Sequence, residues 1–183
     1  MTSLSGIALI NKILLQFTGM NKAELAPILD NLLPKLFSFA YSLIPDELQA
    51  EQMVIDAYSV FIIREKETIE SYQLDPNRRG DRTKFKKFLL TCILRDILKI
   101  ALKRATQLGQ FKPEENFQAY YLLDISERAT LFMRDVLGLE LADVQEVMQF
   151  KKHQVIEKIY NARNNLLITA LNTAQSASPG ELK

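Results

Sequence analysis

Apolar residues recur at intervals of three and four along nearly the whole of this chain, and no stretch alternates for long. That period belongs to helices with one buried face, so it restricts the chain to an all-α fold. The spacing predicts a first helix from Leu4 to Phe17, with Ile7, Ile10, Leu14 and Phe17 on one side and Gly19 as its stop. Asn21 and Glu24 form a capping pair for a second, although Pro27 is too far in for a first turn and moves the expected start towards it. Leu32, Leu36, Phe39, Ala40 and Leu43 are its expected buried stripe. Asp46 with Gln49 caps a third helix that runs to about Ile63, with Met53, Ala57, Val60 and Phe61 facing inward. Residues 64–82 read as a helix end followed by a loop, in which Gly80 permits close approach to a backbone. A long helix then spans Thr83 to Thr106, its apolar line made of Phe85, Phe88, Leu89, Cys92, Ile93, Ile97, Ile100 and Ala101.

Gln107 to Phe117 lacks periodicity and holds Gly109 and Pro113, which marks it as a linker. The chain therefore reads as two small helical domains. An N-terminal helical extension covers 1–22, a first domain 23–106, a linker 107–119, a second domain 120–171 and a flexible tail 172–183. The second domain begins with a helix from about Ser126 to Leu137, ended by a left-handed stop at Gly138. A short helix, a tight turn and a lysine-bearing helix follow, carried by Leu139–Met148 and Val155–Leu166. That is the layout of a helix-turn-helix, whose second helix can enter the major groove.

Net charge is only +1, but its distribution is uneven. Residues 78–104 carry 10 Lys/Arg against 2 Asp/Glu, and residues 151–163 carry 4 against 1. Two basic blocks in a neutral chain predict two contacts with a polyanion, because local potential steers association. The first block supplies Arg78, Arg79, Arg82, Lys84, Lys86, Lys87, Arg95, Lys99, Lys103 and Arg104. The second supplies Lys151, Lys152, His153, Gln154, Glu157, Lys158 and Asn161 on the helix expected to face the groove. There Gln and Asn suit an adenine edge, Glu suits cytosine, and lysines anchor to phosphate. Tyr72 is the stacking candidate for unpaired bases, whereas Phe85 and Phe88 lie on an apolar line and belong to the core.

Several classes are excluded by what the chain lacks. One cysteine, Cys92, permits no intrachain disulfide and no zinc cluster, and its place on an apolar line predicts inert packing. No Gly-rich phosphate loop or nucleophile motif is present, so neither an enzyme nor a cofactor, metal or small-molecule substrate is expected. No apolar run is long enough for a membrane span, and the first cation waits until Lys12, which does not fit a secretory leader. A cytoplasmic, soluble protein is the expectation.

These features together resemble the small two-domain sigma factors of bacterial RNA polymerase, the extracytoplasmic-function type. Ala50-Glu51-Gln-Met-Val-Ile-Asp-Ala-Tyr58 is similar to that family's polymerase-binding helix. Phe85-Lys-Lys-Phe88-Leu89, with Ile93, Arg95, Asp96, Lys103 and Arg104, is similar to the helix that engages the minus-ten element. Leu123, Ser126, Arg128, Leu139, Asp143, Val144, Val147, Val155, Ala162, Arg163 and Leu166 follow the frame of the family's helix-turn-helix domain. The resemblance implies a sigma-like initiation factor with core RNA polymerase and promoter DNA as partners. Asp46, Glu47, Glu51 and Asp56 would then face polymerase. Gln52, Ile55, Phe88, Asp96, Ile100, Gln145, Gln149, Ile156, Glu157 and Asn161 depart from the family pattern. They leave open a sigma mimic that sequesters an anti-sigma factor, or a helix-turn-helix regulator that never meets polymerase. Glu157 would repel phosphate and weaken duplex binding.

Overall fold

The computed structural model describes residues 22–71, 79–106 and 118–176, and every regular element among them is a helix. The chain divides into two compact units between Gln107 and Leu108. None of the described helices is long and apolar enough to cross a membrane. The expected helix over Leu4–Phe17, with Gly19 and Asn21, lies outside the described residues, as do Tyr72, Arg78, Gly109, Pro113 and residues 177–183.

The first unit contains α1 (Lys22–Leu43), α2 (Glu47–Arg64), α3 (Lys66–Ser71) and α4 (Arg79–Ala105). Helix α1 starts before Pro27 and runs through both Pro27 and Pro34. The expected start near Pro27 is thus corrected, for a geometric reason. The two prolines are seven residues apart, which puts them on one helix face, and both are exposed. Water can satisfy the carbonyls they leave without an N–H donor. On the opposite face Leu29, Leu32, Leu36, Phe39, Ala40 and Leu43 are buried.

Asp46 caps α2 by accepting from the Gln49 N–H at 2.8 Å. The inward face is Ala50, Met53, Val54, Ala57, Tyr58 and Phe61. Val60, expected inside, is exposed, because it lies about a quarter-turn from the centre of that stripe. The stretch expected as helix end and loop contains α3, and α4 begins at Arg79. Gly80 is therefore helical and does not serve a loop.

Helix α4 is central. Leu89 to Leu94 and Asp96 to Leu98 are all buried, more than a single stripe, because α1 and α2 both pack against it. Phe85 is fully buried, and Phe88 packs its ring at 58° to that of Phe61, centroids 5.8 Å apart. Two ionic rungs tie α2 to α4. Arg64 donates to Asp96 at 2.6 Å, and Arg104 donates to Asp56 at 2.6 Å. The partners are eight residues apart on each helix, running in opposite directions, so the rungs fit one antiparallel register.

The second unit contains α5 (Gln118–Tyr121), α6 (Ile125–Leu131), α7 (Leu141–Met148) and α8 (Lys152–Ser176). Asp124 caps α6 by accepting from the Glu127 N–H at 2.7 Å, and Glu127 accepts from the Asp124 N–H at 3.3 Å. Helix α6 widens into a π-type turn over Phe132–Val136, where the Leu137 N–H reaches the Phe132 carbonyl. Gly138 follows with φ 66°, the left-handed stop its sequence position predicts. Leu123, Leu131 and Ala162 form a buried cluster, with Tyr120 and Leu166 packed on it. Helix α8 continues to Ser176, so residues 172–176, expected to be frayed, are helical.

Gln149 sits between α7 and α8 at φ 56°, ψ 35°. A side chain there carries the left-handed penalty that glycine escapes. Gln149→Gly is therefore expected to stabilise the second unit by about 1 kcal/mol, net of glycine's greater entropy when unfolded. Slowed hydrogen exchange in α7 and α8 checks this.

Candidate nucleic-acid interface

Helices α7 and α8 are joined by Gln149, Phe150 and Lys151, the short turn a helix-turn-helix requires. Val144, Val147 and Met148 of α7, with Val155 and Ala162 of α8, are buried, which fixes which face of α8 points outward. Gln145, where a small residue would ease close packing, is half-buried. Lys151, Lys152, His153, Gln154, Glu157 and Asn161 are all exposed. Two of the seven expected contacts have other work. Gln154 accepts from the Lys151 N–H at 2.8 Å and so caps the start of α8. Lys158 is half-buried and donates to Asp124 at 2.7 Å.

Asp124 thus joins α6 to α8 while capping α6. Burial raises its pKa, but the hydrogen bonds from Lys158 and from backbone amides outweigh this and hold it below 3.8. A depressed carboxylate adds stability above its unfolded pKa, and that stability is lost as pH falls through the folded value. Asp124→Ala should cost about 1 to 2 kcal/mol near neutrality, from the lost cap and a half-exposed ion pair. The difference from the parent should shrink below about pH 4, which acid titration followed by circular dichroism would read.

Two other contacts brace this unit. Arg163 grips Asp135 with two nitrogens, at 2.6 and 3.3 Å. The Arg128 guanidinium lies over the Tyr121 ring at 5.3 Å, while the Tyr120 hydroxyl donates to the Arg128 carbonyl.

The first basic block divides by environment. Arg82, Lys84 and Lys87 are exposed in the opening turns of α4. The backbone of Arg79 is helical in the same turns. Lys86 donates to Asn31 of α1. Arg95, Lys99 and Lys103 follow at intervals of four along α4, so they share a face; Lys99 and Lys103 are exposed. Arg95 is half-buried and reaches the Cys92 sulfur at 3.0 Å. Cys92 itself is buried, and burial pushes its thiol pKa up, which suits inert packing. Arg104 turns inward to Asp56 and to the Gln49 side chain, at 2.6 and 2.8 Å.

The four acidic candidates for a polymerase contact also divide. Asp46 is the cap of α2, and Asp56 is held by Arg104 and Gln52. Glu47 is exposed and Glu51 half-buried. The outward face of α2 is more apolar than the acidic residues suggest: Leu48 is 72% and Ile63 81% exposed, with Ile55 between them. Sequence reasoning passed over this ridge, although Leu48, Ile55 and Ile63 recur at intervals of seven and eight, which sets them on the side of the helix away from its core stripe. Compared with known proteins, the chain matches no family model and no curated sequence.

Proposed function

We propose that this chain is a sigma-like transcription initiation protein that works in the cytoplasm, with core RNA polymerase and promoter DNA as its partners. The observation that carries this is the helix-turn-helix of α7 and α8, with Lys151 and Lys152 outward at the start of α8. A second exposed cationic segment, at the start of α4, stands on a separate helical unit. In this reading α8 enters the major groove and its lysines anchor to phosphate. The start of α4 follows the single strand of an opened promoter, where cations along a backbone are what binding needs. The ridge of Leu48, Ile55 and Ile63, rimmed by Glu47 and Glu51, is the polymerase contact. An apolar core with a polar rim is the usual anatomy of such a surface.

A sigma mimic that sequesters a protein partner is the second reading. It is favoured by the use of Gln154 and Lys158 inside the unit and by exposed Ile156 and Tyr160 beside the readout face. Gel filtration of the full chain with core RNA polymerase separates the two. Initiation requires co-migration, and then start sites on genomic fragments that depend on the added protein. A chain that elutes apart from polymerase is no sigma factor.

A further inference from the structure

Helix α8 is longer than its own unit needs. Its packed face ends at Leu166, and beyond it no side chain that the structure describes is buried. A second apolar line runs along the helix on a different side. Ile156, Tyr160, Leu167 and Leu171 fall within about a sixth of a turn of one another, with Ile168 at their edge. Tyr160 is 65%, Leu167 63% and Leu171 61% exposed. Residues 164–176 contain no charged side chain at all. A helical segment without its own packing draws little stability from propensity, so this half gains from an apolar face against it.

We propose that this face pairs with the same face of a second copy of the chain. Neutrality is the first argument. A helix meeting itself around a two-fold axis sets residue i against residue j and j against i, and 164–176 has no charge to repel its copy. Arg163, at the margin of the same face, is already paired with Asp135. The same neutrality disfavours an anionic membrane, which draws basic residues, and a partner chosen by opposite charge. Area is the second argument. At these exposures the five side chains present roughly 100 Å² each, about 1,000 Å² over two copies, near the lower limit for specific association. The pairing is therefore a weak dimer, populated at micromolar concentrations and above.

Sedimentation velocity of the full chain, without DNA or polymerase, tests this separately from the proposed function. The parent should pass from monomer to dimer between low micromolar and about half-millimolar protein. Leu167→Glu with Leu171→Glu should raise the dissociation constant at least about a hundredfold, with far-ultraviolet circular dichroism preserved. Leu167→Ala with Leu171→Ala keeps strong helix formers in place and should weaken the dimer by a smaller factor, so loss of helix cannot imitate loss of the interface. A parent that stays monomeric throughout, or a dimer as strong in both variants, overturns the proposal.

Discussion

Arg64→Ala is expected to cost the first unit about 3 kcal/mol, the largest loss of stability from any single ionic contact described. Asp96 is 3% exposed and receives Arg64 at 2.6 Å on one oxygen, while its other oxygen is buried without a hydrogen-bond partner. The Asp96 carboxylate holds the Arg64 guanidinium pKa up, against the lowering that burial would bring. Removing Arg64 leaves a buried carboxylate with nothing to face it, and that uncompensated charge dominates the cost. Arg64 is itself 37% exposed, so water screens part of the pair and the lower end of the usual range applies. Native-state hydrogen exchange in α2 and α4 of the full chain would read this as roughly a hundredfold faster opening. Arg64→Met combined with Asp96→Leu should recover most of the loss, because an apolar pair carries no desolvation penalty. If Arg64→Ala leaves exchange unchanged, the rung contributes nothing to holding α2 on α4.

The contrast between that rung and its neighbour explains what was legible in the sequence. The long helices could be read from spacing alone, because a period of three to four needs no knowledge of the partner, whereas the short α3 and the first turn of α4 fall in a charged stretch expected as helix end and loop. The cap at Asp46 and the stop at Gly138 are equally local. What spacing does not encode is which face meets what. Asp56 and Arg104 are 48 residues apart, and only the packing of α2 on α4 brings them together. In sequence they are two charges of opposite sign on two helices, and each reads as a surface group. Lys158 reads as a phosphate anchor for the same reason, because its partner Asp124 lies 34 residues away and becomes visible only once α6 and α8 are packed. Gln154 differs: its partner, the Lys151 amide, is three residues away, a local cap that spacing could have shown. The prolines of α1 show the opposite error. A general rule against proline in helix interiors gave way because both rings face water.

Charge count alone therefore overstates the proposed nucleic-acid surface, and substitution can measure by how much. Arg82→Ala, Lys84→Ala and Lys87→Ala together are expected to lower affinity for single-stranded DNA about a hundredfold at 0.1 M salt. The estimate rests on three phosphate contacts, each releasing roughly 0.7 of a counterion from a single strand, so the slope of log affinity on log salt should fall by about 2. Stability should change by no more than about 1 kcal/mol, since all three side chains are exposed in the first turns of α4 and surface contacts are worth little. Arg104→Ala should behave in reverse. It removes the ties to Asp56 and Gln49 and loosens α4 from α2, while the salt slope stays where it was. Measuring both quantities on both variants separates cations that meet a polyanion from cations that hold the fold. A salt slope that falls for Arg104→Ala but not for the triple variant would mean that DNA meets the face of α4 opposed to α2, and that the start of α4 is only a solvated surface.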